Sequence, residues 1–277
     1  MIRLAIRCRP ELAEQVLAEL TELAPNGLEE EHGDGYVEYA IYGPPGELPA
    51  VPEIQAVAGE GLVSVSSTEI PDDWADRWRD FHTATEIAGG RIVVRPPWDE
   101  NNSRHLLSSP IEVVIDPGQA FGTGAHATTA LCLELLLDLA DAGAIGGLAD
   151  WGTGSGVLAI AAAKLGFAPV RACDHELAAV EAAAANAAVN HVELEVERLN
   201  LREAPAPFAP TAVANLTAPI LLAVAEHLDR VPGALVASGM LHAEVDAVAA
   251  AFGARGLAEQ ERRTAGDWSA LLLRSIG

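Results

Sequence analysis

The stretch Asp150-Trp-Gly-Thr-Gly-Ser-Gly156 decides the fold of this chain. It follows the apolar pair Leu148-Ala149 and leads into Val157–Lys164, so the segment predicts a strand, a tight turn and a helix. Asp174 comes 18 residues after Gly156, at the end of a second short apolar run. A glycine-rich turn with an acid about 20 residues further on is typical of nucleoside-binding α/β folds.

The spacing of the glycines indicates which nucleoside is bound. They stand at 152, 154 and 156, whereas a dinucleotide fingerprint needs its third glycine at 157, where this chain has Val157. The pattern therefore suits a ligand that places no pyrophosphate on the helix N-terminus. S-adenosylmethionine is such a ligand.

Apolar runs and helical periodicity alternate along the second half of the chain, which predicts a mostly parallel sheet with helices on both faces. The expected helices are 128–140, 156–166, 177–190, 220–228 and 243–253. The expected strands are 147–150, 169–173, 194–198, 211–215, 234–238, 257–263 and 269–274. The last two strands are close enough in sequence to pair, and such a closing antiparallel hairpin is typical of methyltransferases rather than dehydrogenases.

The first half of the chain predicts a separate small unit. Residues 1–70 contain strands at 2–8, 35–42 and 62–68 and helices at 11–23 and 54–58, a ferredoxin-like α+β domain. Residues 71–90 are expected to form a linker helix, centred on Asp72–Ala88. Residues 91–277, which begin with strands at 92–97 and 111–115, form the cofactor-binding α/β domain.

Composition narrows the class of protein. Among 277 residues, 40 acids against 17 bases give a formal net charge of −23, which disfavours direct nucleic-acid binding and favours a basic protein partner. No apolar run reaches the roughly 18 residues of a membrane span. Three widely separated cysteines follow no metal spacing, so we expect reduced core thiols, no metal site and a cytoplasmic location.

Several residues are candidates for the site. Asp174 can accept hydrogen bonds from both ribose hydroxyls or, alternatively, cap the helix that begins near Leu177. In the loop Asp116–Thr129, Thr128 or Thr129 can cap the next helix or contact the ligand. His126 of that loop is either a base or a structural residue. Asn215 ends the expected strand at 211–215, where amino-group methyltransferases hold the acceptor nitrogen. The Pro-Pro-aromatic sequence of DNA-adenine and glutamine methyltransferases is absent after it.

Taken together, these segments resemble the ribosomal protein L11 methyltransferase family. The similarity covers roughly residues 70–277, and its most specific part is Ala120–Thr129 (A-F-G-T-G-A-H-A-T-T). Further matching segments are Asp150–Gly166, Val213–Leu216 and Ser238–Leu241.

The resemblance implies a class I, S-adenosylmethionine-dependent protein methyltransferase that modifies lysine side chains and the N-terminal amine of ribosomal protein L11. It implies that Asn215 contacts both cofactor and acceptor and that the N-terminal domain binds L11. The expected cofactor contacts are Phe121, Thr128, Thr129, Gly152, Gly154, Gly156, Asp174 and Asn215. Three alternatives remain open: a lysine methyltransferase with another protein substrate, a nicotinamide-dependent oxidoreductase, and a non-catalytic binding module.

Overall fold

The computed structural model divides the chain into two compact units, Met1–Phe81 and His82–Gly277. The structure describes residues 2–13, 16, 20, 29–33, 35–43, 48–49, 54, 62–69, 83–99, 110–116 and 126–276. The predictions for Phe121 and for residues 71–82 lie outside these ranges, as do most of the two helices expected at 11–23 and 54–58.

The N-terminal unit contains a four-stranded sheet. Its strands are β1 (Ile2–Cys8), β2 (Glu29–Gly33), β3 (Tyr36–Gly43) and β4 (Leu62–Glu69). They lie in the order β2-β3-β1-β4, and every neighbouring pair is antiparallel. This arrangement agrees with the ferredoxin-like prediction. The sequence analysis did not predict β2, because its run of three glutamates lacks the apolar alternation of a strand.

The larger unit is built on a seven-stranded sheet in the order β10-β9-β8-β11-β12-β14-β13. Its strands are β8 (Leu148–Trp151), β9 (Val170–Asp174), β10 (Glu195–Arg198), β11 (Thr211–Asn215), β12 (Ala234–Leu241), β13 (Leu257–Ala265) and β14 (Trp268–Ser275). The first five are parallel, and β14 pairs antiparallel with both β12 and β13. The predicted Rossmann-like sheet with a C-terminal hairpin is therefore confirmed.

Helices cover both faces of this sheet, as a parallel sheet requires. The α-helices of this unit within the described ranges are α1 (Ala127–Asp141), α2 (Val157–Lys164), α3 (Leu177–Val189), α4 (Ala218–Glu226) and α5 (Val245–Gly253). The apolar side chains of α1 and α2 form one core cluster with the sheet, and those of α4 and α5 form a second on the opposite face.

A small three-stranded sheet corrects the linker-helix prediction. Its strands are β5 (Thr85–Ile87), β6 (Ile92–Arg95) and β7 (Ile111–Val114). Asp72–Ala88 was expected to be helical, but Thr85–Ile87 pairs antiparallel with β6, and Ala88 has a φ of 51°. The prediction is wrong at this end because Ile87 is buried in the core cluster of α1, a tertiary contact that local periodicity does not reveal.

Candidate functional site

A cavity of about 430 Å³ opens at the carboxyl ends of β8, β9 and β11. In an open parallel sheet this edge is where ligands bind, because the strand order reverses there. The described lining residues are Thr129, Gly152, Thr153, Gly154, Val157, Leu158, Asp174, His175, Glu176, Ala179, Leu199, Asn200, Leu201, Arg202, Asn215, Leu216 and Ile220. Five of the predicted site residues are among them: Thr129, Gly152, Gly154, Asp174 and Asn215.

The glycine turn between β8 and α2 needs glycine at each of its three positions. Gly152, Gly154 and Gly156 have φ angles of 79°, 53° and 85°, which L side chains rarely adopt. A Cβ on Gly152 would also lie 2.3 Å from the Leu216 side chain. Gly156 is not in the cavity lining; a Cβ there would lie 3.1 Å from Ala183 of α3, so this glycine permits close packing of α3.

Asp174 connects the glycine turn to the end of β9. Its Oδ2 accepts a hydrogen bond from the Gly154 backbone N–H at 2.9 Å, and its Oδ1 accepts one from Glu176 N–H at 3.1 Å. The N-cap of α3 is Glu176, so the alternative that Asp174 caps this helix is wrong. Asp174 is 9% exposed and lines the cavity, where the remaining carboxylate lone pairs are available to ligand hydroxyls.

Asn215 and Thr129 lie against each other on the other side of the turn. The Asn215 Nδ2 donates to Thr129 Oγ1 at 3.3 Å. The N-cap of α1 is His126 rather than Thr128 or Thr129, since His126 Nδ1 accepts from the Thr128 backbone N–H. Thr128 is buried and contacts His126 Nδ1 through Oγ1 at 2.8 Å, and it is not among the described lining residues.

Asp150 lies beneath the glycine turn, and the sequence analysis assigned it no role. It is completely buried, and its Oδ2 accepts hydrogen bonds from Thr153 Oγ1 at 2.7 Å and from Ala159 N–H at 3.2 Å. Among the described residues, its Oδ1 has no hydrogen-bond partner. Burial raises the pKa of Asp150 to about 7. The sequence signal that could have identified Asp150 is its position as an acid within an otherwise apolar strand.

Gly239 is a second residue that the sequence analysis gave no functional role. It sits at a bulge in β12 with a φ of 87°, beside the segment that follows Asn215. A Cβ there would lie 2.6 Å from Leu216 O and 2.8 Å from Leu216 N. Leu216 N–H also donates to Ser238 O at 2.9 Å. The bulge therefore holds the backbone after Asn215 in one position.

Asn186 of α3 and Asn190, the C-cap residue of that helix, connect the glycine turn to β7. Asn186 Nδ2 donates to Ser155 O at 2.9 Å, and its Oδ1 accepts from Asp116 N–H at 3.1 Å. Asn190 Oδ1 accepts from Val114 N–H at 2.9 Å. The end of β7, the glycine turn and α3 are thus linked by buried amide side chains. The sequence analysis assigned neither asparagine a role in the site.

The wall formed by Leu199, Asn200, Leu201 and Arg202 was also missed. It follows β10 and turns under the cavity, with Asn200 Oδ1 accepting from Arg202 N–H at 3.1 Å. A short polar loop after a short strand gives no distinctive sequence signal. Separately, none of the helices in the described ranges is long and apolar enough to span a bilayer.

Comparison with known proteins identifies close relatives of this architecture. The model of the family described as ribosomal protein L11 methyltransferase (PrmA) matches residues 51–275. Two proteins named ribosomal protein L11 methyltransferase are similar to this chain. That of Heliobacterium modesticaldum is 37% identical over 211 residues, covering 74% of this chain and 65% of its own length. That of Dictyoglomus thermophilum is 36% identical over 216 residues, covering 76% and 69%.

The solved structures include a crystal structure of the ribosomal protein L11 methylase of Lactobacillus delbrueckii subsp. bulgaricus. It superimposes with a TM-score of 0.62 at 28% identity, covering 71% of this chain and 100% of that one. The chain spans slightly less than two thirds of the Heliobacterium relative and of a third relative, from Pelotomaculum thermopropionicum, at 65% and 66% of their lengths.

Proposed function

Because this chain belongs to the ribosomal protein L11 methyltransferase family, we propose that it transfers methyl groups from S-adenosylmethionine to amine nitrogens of ribosomal protein L11. The acceptors are lysine side chains and the N-terminal α-amine. One observation carries the proposal: Asp174 of β9 and Asn215 of β11, with Thr129 of α1, line a single cavity beside the glycine turn.

In this proposal the cofactor lies along the cavity between Asp174 and Asn215, over the glycine turn. Asp174 accepts hydrogen bonds from the two ribose hydroxyls, each worth about 1.5–3 kcal/mol with a charged acceptor. Gly152 and Gly154 let the ligand approach the backbone, and Thr129 with Asn215 holds the amino-acid end. S-adenosylmethionine supplies a sulfonium-bound methyl group that is already activated for transfer.

The remaining predicted cofactor residues have supporting roles in this proposal. Gly156 acts by packing against Ala183, which keeps α3 close to the turn. Thr128 acts through His126, whose ring nitrogen it contacts. Phe121 remains a proposed cofactor contact.

The reaction requires a neutral amine. A lysine with a pKa near 10.4 loses its proton at a cost of about 4–5 kcal/mol at neutral pH, whereas an α-amine costs only about 1 kcal/mol. The titratable residues of the described lining are Asp174, His175, Glu176 and Arg202, and none is on β11. We therefore infer that the amine loses its proton to water.

Once neutral, the amine is positioned by Asn215. Its side-chain Nδ2 is directed to Thr129, so its Oδ1 is the atom that accepts a hydrogen bond from the amine. Holding an amine in line with its methyl donor supplies roughly 7–11 kcal/mol of rate advantage. Positioning rather than acid–base catalysis is the main contribution of the protein.

The charge of the chain supports a basic protein as substrate. A net charge of −23 accelerates encounter with a basic partner and repels nucleic-acid phosphate. Cys8, Cys132 and Cys173 are buried and form no disulfide bonds, in keeping with a reducing cytoplasm.

The decisive test is to incubate the protein with purified L11 and methyl-labelled S-adenosylmethionine. We expect label on L11 amines, located by mass spectrometry, and its loss when those amines are acetylated beforehand. The Asn215→Ala variant is the matched control. If L11 stays unlabelled while lysines of another protein become labelled, the proposed substrate is wrong. If no protein becomes labelled, the proposed methyltransferase activity is refuted.

A further inference from the structure

A group of exposed apolar and aromatic side chains lies beyond Asn215 at the same sheet edge. In the strand order β9-β8-β11-β12-β14, Asp174 lies on one side of Asn215 and Trp268, the first residue of β14, on the other. Asn215 pairs with Ser238 of β12, and Leu241 of β12 pairs with Trp268. Asn215 is therefore two strands away from and level with Ala270, and Trp268 lies two residues further toward the open edge, on the side away from Asp174.

The aromatic pair His126–Trp268 is attached to the helix that carries Thr129. The two ring centroids are 4.9 Å apart at an interplanar angle of 74°, an edge-to-face contact. His126 is the N-cap of α1, one turn before Thr129, whose hydroxyl contacts Asn215. Because Nδ1 of His126 accepts from Thr128, the proton of the neutral ring is on Nε2. Its capping role makes His126 a structural residue rather than the base.

Leu241 extends this aromatic pair. Directly opposed residues of an antiparallel pair project to the same face of the sheet, so Leu241 lies beside Trp268 on the face covered by α1. Leu241 is one of the exposed large hydrophobic residues of the described ranges, at 43%. We call His126, Trp268 and Leu241 the acceptor wall.

The chemistry of the acceptor wall matches a lysine side chain. The aliphatic stem of a lysine is stabilised by apolar contact with Leu241 and the ring surfaces. An aromatic face also attracts the ammonium group before its proton is lost. Backbone hydrogen bonds brace the wall, since His242 N–H donates to Asp267 O at 2.8 Å and His242 Nδ1 contacts Ser269 Oγ at 3.0 Å.

We propose that the acceptor wall receives the side chain of the substrate lysine and directs its nitrogen to Asn215. This inference rests on the proposed methyltransferase function and goes further by assigning the path by which the acceptor enters. It makes Trp268 and Leu241 determinants of substrate affinity and not of cofactor affinity.

Steady-state kinetics on L11 test the inference, with S-adenosylhomocysteine affinity measured by calorimetry on the same variants. Trp268→Ala should raise KM for L11 about tenfold, the scale of a lost cation–π contact, and leave the Kd for S-adenosylhomocysteine unchanged. Trp268→Phe should restore most of the affinity. Leu241→Ser should raise KM about threefold. The matched control is Ile145→Ser, because Ile145 is 55% exposed at the opposite end of the sheet, before β8.

The outcomes separate the two proposals. No methylation of L11 by the wild-type protein refutes the proposed function and, with it, the acceptor wall. If the wild-type protein methylates L11, an unchanged KM in Trp268→Ala overturns the acceptor wall alone. A rise in KM that is matched by weaker S-adenosylhomocysteine binding, or not restored by Trp268→Phe, also overturns it, because a purely structural role of Trp268 would produce that result.

Discussion

The Asn215 side-chain amide donates a hydrogen bond to Thr129 Oγ1 at 3.3 Å, joining the end of β11 to the first turn of α1 across 86 positions of sequence. Thr129 is 1% exposed, so its hydroxyl is held in place by the surrounding core. In the proposed reaction, this contact fixes which end of the Asn215 amide faces the acceptor amine. We therefore expect turnover to depend on both residues.

Asn215→Ala should lower kcat on L11 about 100-fold, because a displaced acceptor loses its in-line alignment. Thr129→Val should lower kcat about fivefold, the equivalent of one neutral hydrogen bond of about 1 kcal/mol, and Thr129→Ser should preserve it. Calorimetry with S-adenosylhomocysteine provides the comparison. A loss of cofactor affinity as large as the loss of kcat in Asn215→Ala would remove its assigned role.

Asp174→Asn should weaken S-adenosylhomocysteine binding about 10- to 100-fold, since the charged acceptor of the ribose hydroxyls is lost. Isothermal titration calorimetry measures this change directly. Glu195→Gln is the control, because Glu195 is an exposed carboxylate that pairs with Arg171 on the neighbouring strand. Equal affinities of Asp174→Asn and wild-type protein would contradict the ribose assignment.

Gly239→Ala should destabilise the protein and lower kcat together, because its Cβ would meet the Leu216 backbone at 2.6 Å. Gly256→Ala is the matched control: Gly256 has a φ of 90° but open space around a Cβ. The control should lose about 1–2 kcal/mol of unfolding free energy from backbone strain alone, with normal kcat. Chemical denaturation and steady-state kinetics measure both variants. Equal losses of unfolding free energy and of kcat in the two variants would refute the role of the bulge.

The buried Asp150 makes stability depend on pH. Burial raises its pKa to about 7 from an ordinary 3.8, so between these values the native state binds more protons than the unfolded chain. The contribution of Asp150 to the unfolding free energy is therefore greatest below pH 4, falls as pH rises through 7, and is constant above that.

Asp150→Asn should remove this dependence. The difference in unfolding free energy between wild-type protein and this variant should change by up to about 4 kcal/mol between pH 4 and pH 8, in the direction that disfavours the wild type at high pH. Urea unfolding at several pH values measures it. A difference that stays constant with pH would show that Asp150 does not titrate in this range.

The thiols of Cys132 and Cys173 should be unreactive in the folded protein. Both residues are fully buried, and burial raises the pKa of Cys173 to about 12 and that of Cys132 further. Iodoacetamide at pH 8 should leave both unmodified in native protein and modify both in guanidinium chloride, as read by peptide mass spectrometry. Rapid labelling of either cysteine in native protein would contradict the described packing.

Local sequence patterns were sufficient for most of the fold. The short apolar run that predicted a strand at 211–215 corresponds to β11 at the same bounds, and four of its five residues are buried, as in a parallel strand covered on both faces. The patterns failed at β2 and β5. An acidic segment and a three-residue strand have no periodicity of their own, and both pair with strands that pattern analysis did locate.

In the site, too, some features follow from local sequence and others only from tertiary contacts. By itself, the sequence determined the glycine turn, the position of Asp174 at the end of β9 and the place of Asn215 at the end of β11, since each follows from spacing within one strand–turn–helix unit. Only the tertiary structure decided that Asn215 meets Thr129, that Gly239 must admit the Leu216 backbone, and that Asp150 is buried with one oxygen unpartnered among the described residues. These relationships join residues far apart in sequence. They depend on close packing and on the removal of water between packed elements, which no local pattern encodes.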